Sequence, residues 1–148
     1  MEVFMNAEET ADLVADVARI VHDIKHSMGL RDWVITVKGA TDAEVHRYSG
    51  QRDVLACTGI FIGARRANIS INTESDWVNY VALEGTIEDL VTHELLHIVF
   101  CDSGMAYDGK LVSNRMEEGI DRLVSIINGG NDGENTEIRQ TCACCGTV

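Results

Sequence analysis

Leu13, Val17, Ile20, Val21, Ile24 and Met28 fall at steps of three and four residues. That period lines one face of a helix and predicts one over residues 7–28, with Asn6 placed to cap its start and Gly29 to end it. Residues 33–37, Trp-Val-Ile-Thr-Val, read as a strand with Gly39 beyond it, and residues 43–48 as a second strand or a loop. The run 54–62 is apolar and rich in β-formers, with Gly59 and Gly63 as punctuation, so it predicts one strand with a bulge or bend. Asn68-Ile-Ser-Ile-Asn72 alternates polar and apolar and reads as a short strand at an edge. Residues 76–83 fit a short helix or a loop.

Residues 86–100 give the strongest helical signal, with Thr86 or Gly85 at the start and Glu88 and Asp89 in the first turn, where acids suit the helix dipole. Apolar residues surround this segment on nearly every side, the mark of a buried central helix. A loop is expected over 101–110 and a third helix over 111–128. Gly129-Gly-Asn-Asp-Gly-Glu-Asn135 then opens a stretch that reads as a flexible tail. The division expected is one domain over 1–128 and a cysteine-containing tail over 129–148. Helix, several strands, helix, helix is an α+β order and not an alternating βαβ one.

Composition narrows the function classes. The 148 residues, 45% of them hydrophobic, suffice for one domain with a core. No apolar run has bilayer-spanning length, and the N-terminus lacks the basic flank and apolar stretch of a secretory signal, so a cytoplasmic location is expected. Net charge of −12 disfavours nucleic acid and anionic membranes as partners, and Arg65-Arg66 is too small a basic pair to change that. Five cysteines (57, 101, 142, 144 and 145) do not have the spacing of a disulfide framework, and reduced thiols are expected.

The candidate chemistry lies inside the apolar helix, in His93-Glu94-Leu95-Leu96-His97. Histidines four residues apart lie about 40° from each other on one helical face, so both imidazoles can reach one metal ion. Glu94 stands beside them as the general base for water. Burying two histidines and a carboxylate in an apolar helix is costly unless they are partnered, and a metal supplies the partner. A catalytic zinc needs a third protein donor and an open position. The position six residues after His97 is Ser103, and Phe100 stands where the metzincin pattern has glycine, so that scheme fails. The next helix offers Glu117 and Glu118. On a face centred on Val112, Met116, Ile120, Leu123 and Ile127, Glu117 lies at the rim, about 90° from the centre, and Glu118 points to solvent, about 170° away. Asp121 is one turn beyond Glu117 and on the same side, placed to accept the free N–H of a ligand histidine.

This set of residues, His93-Glu-Leu-Leu-His97 with Glu117 and Asp121 on the following helix, resembles a gluzincin, the thermolysin-like branch of zinc metallopeptidases. In size the chain is similar to the minimal gluzincins and to small metallopeptidases encoded by phages and prophages, which would place it in the cytoplasm of a bacterial host. The matched region runs over about residues 68–124. The resemblance implies a zincin-like fold: an N-terminal helix, a small twisted and mainly antiparallel sheet, then the active-site helix and the glutamate helix. It implies one Zn²⁺ on His93, His97 and Glu117, Glu94 as general base, and a protein or peptide substrate. It also implies an edge strand above the metal that pairs with extended substrate, for which residues 68–72 are the expected match. The family often adds a Tyr or His for the oxyanion, and Tyr107 is the nearby candidate.

Two other functions fit the same residues. A fourth protein donor, with Cys101 as candidate, would make a closed zinc clip in a binding or regulatory protein. A metal-dependent hydrolase of a non-peptide amide would use Glu94 in the same way. His22 and His26 are also four residues apart, but they face away from the apolar side of the first helix and read as a surface pair. Cys142, Cys144 and Cys145 supply only three donors on an expected tail.

Overall fold

The computed structural model describes residues 5–51, 54–77, 80–81, 85–102, 110–129 and 145–147, with 110–115 and 145–147 described by their backbone alone. Among the described residues, four helices and a small mixed sheet make an α+β fold, in the order α1 (Ala7–Ile24), β1 (Val34–Ala40), α2 (Asp42–Ser49), β2 (Ala56–Phe61), β3 (Arg66–Asn72), α3 (Ile87–Asp102) and α4 (Lys110–Ile127). A single 3-10 turn, Ile62–Ala64, joins β2 to β3. A last segment, β4 (Cys145–Thr147), lies along β2. None of the described helices is long and apolar enough to cross a membrane.

Helix α1 starts where Asn6 and Glu9 form a reciprocal capping box, and it turns Val17, Ile20 and Val21 into the core. It is shorter than its periodicity predicts. Residues after Ile24 form turns, ending at Gly29 with a φ of 76°.

The sheet order is β1-β3-β2, with β4 outside β2. The sheet is mixed and not mainly antiparallel. β1 runs parallel to β3, β2 antiparallel to β3, and β4 parallel to β2. Residues 68–72 form part of the central strand and not an edge, because β3 is paired on both sides. Their alternation misled because Ser70 and Asn72 are buried polar residues and not exposed ones. Asn72 satisfies its amide on the Val54 carbonyl at 3.0 Å and the Asp42 carboxylate at 2.8 Å. Nor does β2 bulge at Gly59: its register with β3 is continuous from Ala56 to Phe61.

Residues 43–48, expected as strand or loop, belong to helix α2. Thr41 caps it with Glu44 in a second capping box, and Gly50 closes it with a φ of 73°. Ala40, Val45, Val54 and Cys57 form a small cluster between α2 and the sheet. On the opposite face, Ala56, Ile60, Ala67, Ile69 and Ile71 pack with Leu90, Val91, Leu95 and Ile98 of α3 and with Val17, Ile20 and Val21 of α1. Strands expose alternate side chains to alternate faces. Thr58, between Ala56 and Ile60 in β2, therefore points at α3.

Candidate metal centre

Helix α3 is capped by Thr86, whose hydroxyl accepts from the Asp89 N–H at 3.1 Å while the Asp89 carboxylate accepts from the Thr86 N–H at 3.0 Å. Every residue from Leu90 to Ile98 is buried, so the helix has no solvent face along this stretch. Its two histidines turn toward α4, with ring centroids 4.9 Å apart. The two helices run antiparallel, which three side-chain contacts record. Asn128 donates to Asp89 at 2.7 Å, His93 Nδ1 meets Asp121 Oδ1 at 2.9 Å, and His97 Nε2 meets Glu117 Oε1 at 3.1 Å. Each step up α3 is matched by a step down α4.

Glu117 lies deeper than the sequence face places it. It is 2% exposed, and Ile120 and Val124 are buried with it, whereas Ile127 is 53% exposed. The buried stripe of α4 is rotated toward Glu117. Glu118 is exposed, as its angle on the helix requires.

The donor atoms converge. His93 Nε2 is 3.1 Å from His97 Nε2 and 3.1 Å from Glu117 Oε2, while His97 Nε2 is 3.1 Å from Glu117 Oε1. Among the described residues, His93, His97 and Glu117 are the group that can hold a metal ion. Metal bonds of roughly 2.0–2.1 Å at tetrahedral angles set donor atoms about 3.3 Å apart, close to these separations.

Proton bookkeeping also fits a cation. With His93 Nδ1 set against Asp121 Oδ1, the neutral form of the ring, the form that can bind a metal, carries its proton on Nδ1 and a lone pair at Nε2. That lone pair then faces a second imidazole nitrogen and a carboxylate oxygen. Glu117 Oε2 makes no hydrogen bond of acceptable geometry despite its closeness to His93. A positive charge at the convergence point resolves both contacts.

Electrostatics ask for the same charge. Burial alone would lower the His93 pKa, but the Asp121 and Glu117 carboxylates and the charge of Glu94 outweigh burial and the neighbouring His97, raising it from 6.5 to about 10. Burial alone would raise the Glu117 pKa, but contact with His93 and His97 holds it below its ordinary 4.5. Glu117 is thus an anionic donor at neutral pH.

Glu94 is fully buried, and its Oε2 accepts a hydrogen bond from the Thr58 hydroxyl of β2. Sequence reasoning missed Thr58. The available signal was a lone hydroxyl among Ala56, Cys57, Gly59 and Ile60, on the strand face that turns inward.

The other candidates fall elsewhere. Cys101 is buried in the main core with Leu95 and Ile98 and does not join the metal-holding group. His22 is exposed on α1 and His26 in the turns that follow it. Ser103, Tyr107, Cys142 and Cys144 lie outside the described residues, as does most of the expected tail over 129–148. No protein-family model, curated protein or solved structure matches the chain.

Proposed function

We propose that the chain is a zinc-dependent metallopeptidase of gluzincin type, with His93, His97 and Glu117 holding one Zn²⁺ and Glu94 acting as general base. The observation that carries this reading is the pairing of a three-donor group with an adjacent buried carboxylate that is not one of the donors. A purely structural zinc site takes four protein donors, and three among the described residues favours an open position for water. That count also weighs against the closed clip with Cys101.

Zinc, when bound, supplies a Lewis acid that lowers the pKa of water toward neutrality and polarises the scissile carbonyl. The chain's own groups do the rest. Asp121 fixes His93 with its proton on Nδ1, which keeps Nε2 available as a donor atom. Thr58 holds Glu94 Oε2 and so fixes the carboxylate, which takes the proton of water and returns it to the leaving amine. The apolar residues of α3 on either side exclude bulk water and strengthen these interactions.

Glu94→Gln keeps the shape and removes the base. It is expected to bind zinc as the parent does while peptide hydrolysis falls by about 10²-fold or more. Equal hydrolysis by both chains would end the metallopeptidase reading. A chain that turns over a simple amide but no peptide would point instead to the non-peptide hydrolase.

A further inference from the structure

The resemblance to gluzincins implies peptide addition to residues 68–72, but β3 has both edges engaged. The strand beside the candidate site with an outward edge is β2. The Asn72 N–H donates to the Leu55 carbonyl at 2.9 Å, which fixes the antiparallel pattern: Cys57, Gly59 and Phe61 exchange bonds with β3. Ala56, Thr58 and Ile60 therefore turn their N–H and C=O groups to the other side. A row of such groups is a template for another strand.

In this structure the chain's own last described segment lies on that row. Cys145–Thr147 pairs with β2 in parallel, with Thr58 opposite Cys145, Gly59 opposite Gly146 and Ile60 opposite Thr147. Parallel pairing in this register sets the Gly146 N–H toward the Thr58 carbonyl and the Gly146 carbonyl toward the Ile60 N–H. Thr58 is also the residue whose hydroxyl holds Glu94. The docked backbone thus runs beside the residue that touches the proposed general base.

We infer that Cys145–Thr147 acts as an intramolecular competitor at the outer edge of β2, occupying the pairing groups that any other extended peptide would need there. Pairing over three residues is weak by itself. Its covalent link to the rest of the chain makes the pairing intramolecular, which favours it over a free peptide of equal length. A free peptide that pairs over more residues displaces it. The docking stands on backbone register alone, whereas its consequence for turnover rests on the metallopeptidase reading.

The test uses the full chain. Gly146→Pro removes the donor facing Thr58, and Gly146→Ala keeps it as the control. Amide hydrogen exchange is followed at Ile60, with Cys57 and Gly59, bonded to β3, as internal references. Exchange at Ile60, whose N–H faces the Gly146 carbonyl, is expected to rise about tenfold or more in the proline variant alone. A synthetic peptide of residues 141–148, added under reducing conditions, should slow it again. In hydrolysis of an extended peptide, the proline variant should show a several-fold lower KM with kcat unchanged. Unchanged exchange at Ile60 in Gly146→Pro overturns the docking. Raised exchange with hydrolysis of unaltered KM overturns the competition. Raised exchange, reversed by the peptide, with no hydrolysis by any of the chains, supports the docking and removes the metallopeptidase reading instead.

Discussion

Asp121 and Thr58 each act on one neighbour and so give separable tests. Asp121→Ala deprives His93 of the acceptor that fixes its tautomer, and zinc affinity in a chelator competition should fall about 10–100-fold. Unchanged affinity would mean that the 2.9 Å contact with His93 does no orienting. Thr58→Val leaves the Glu94 carboxylate buried without its hydroxyl partner. Denaturant unfolding should show a loss of about 1–3 kcal/mol, largely restored in Thr58→Ser. Most of the donor set was legible at this scale, because His93 and His97 stand four residues apart and Glu117 differs from Glu118 by one helical step. Thr58 was not, since its partner is thirty-six positions away. No local period encodes a hydrogen bond between a strand and a helix.

Helices were read from the sequence where an apolar stripe or a capping residue announced them. α1, α3 and α4 all carry such signals, and the structure differs from their predicted ends by a few residues. α2 has only Val45 buried, so periodicity passed over it, although Thr41 and Glu44 spelled a capping box three residues apart. Strand order was illegible for a related reason. Ser70 and Asn72 look like solvent-facing positions, and only the α2 layer above them explains why polar side chains are buried there. The layering yields its own expectation. Thr41→Ala should lower stability by about 1 kcal/mol through loss of the cap while leaving zinc affinity untouched, because α2 packs on the far face of the sheet from α3. A parallel loss of zinc affinity would contradict that separation.

For the molecule as a whole, metal and proton compete for one charge. Without metal, the folded-state pKa of His93 is about 10 against 6.5 for the free side chain. A raised pKa contributes stability that is fully present below about 6.5 and is lost as pH climbs toward 10. Glu117, held below its ordinary 4.5, contributes stability above that value and loses it as acid protonates it. The chelator-treated chain should therefore show a melting temperature that declines from about pH 6.5 upward, and a flat or rising profile would contradict the coupling. Zinc displaces that proton, so its affinity should rise with pH, by up to about tenfold per unit for one proton released. Zinc at a hundred times its dissociation constant should stabilise the chain by about 2.7 kcal/mol, or roughly 5–10 °C, with no such shift in His97→Ala.

Zinc-edge X-ray absorption of the full chain loaded with one equivalent of the metal bears most directly on the grip of His93, His97 and Glu117 on a single ion. The expected first shell contains two imidazole nitrogens and one or two oxygens at roughly 2.0–2.1 Å, with no sulfur. Replacing Glu117 with Gln should weaken that shell without bringing in a thiolate. A sulfur contribution at roughly 2.3 Å in the parent chain would place the ion on cysteines instead and contradict the assignment.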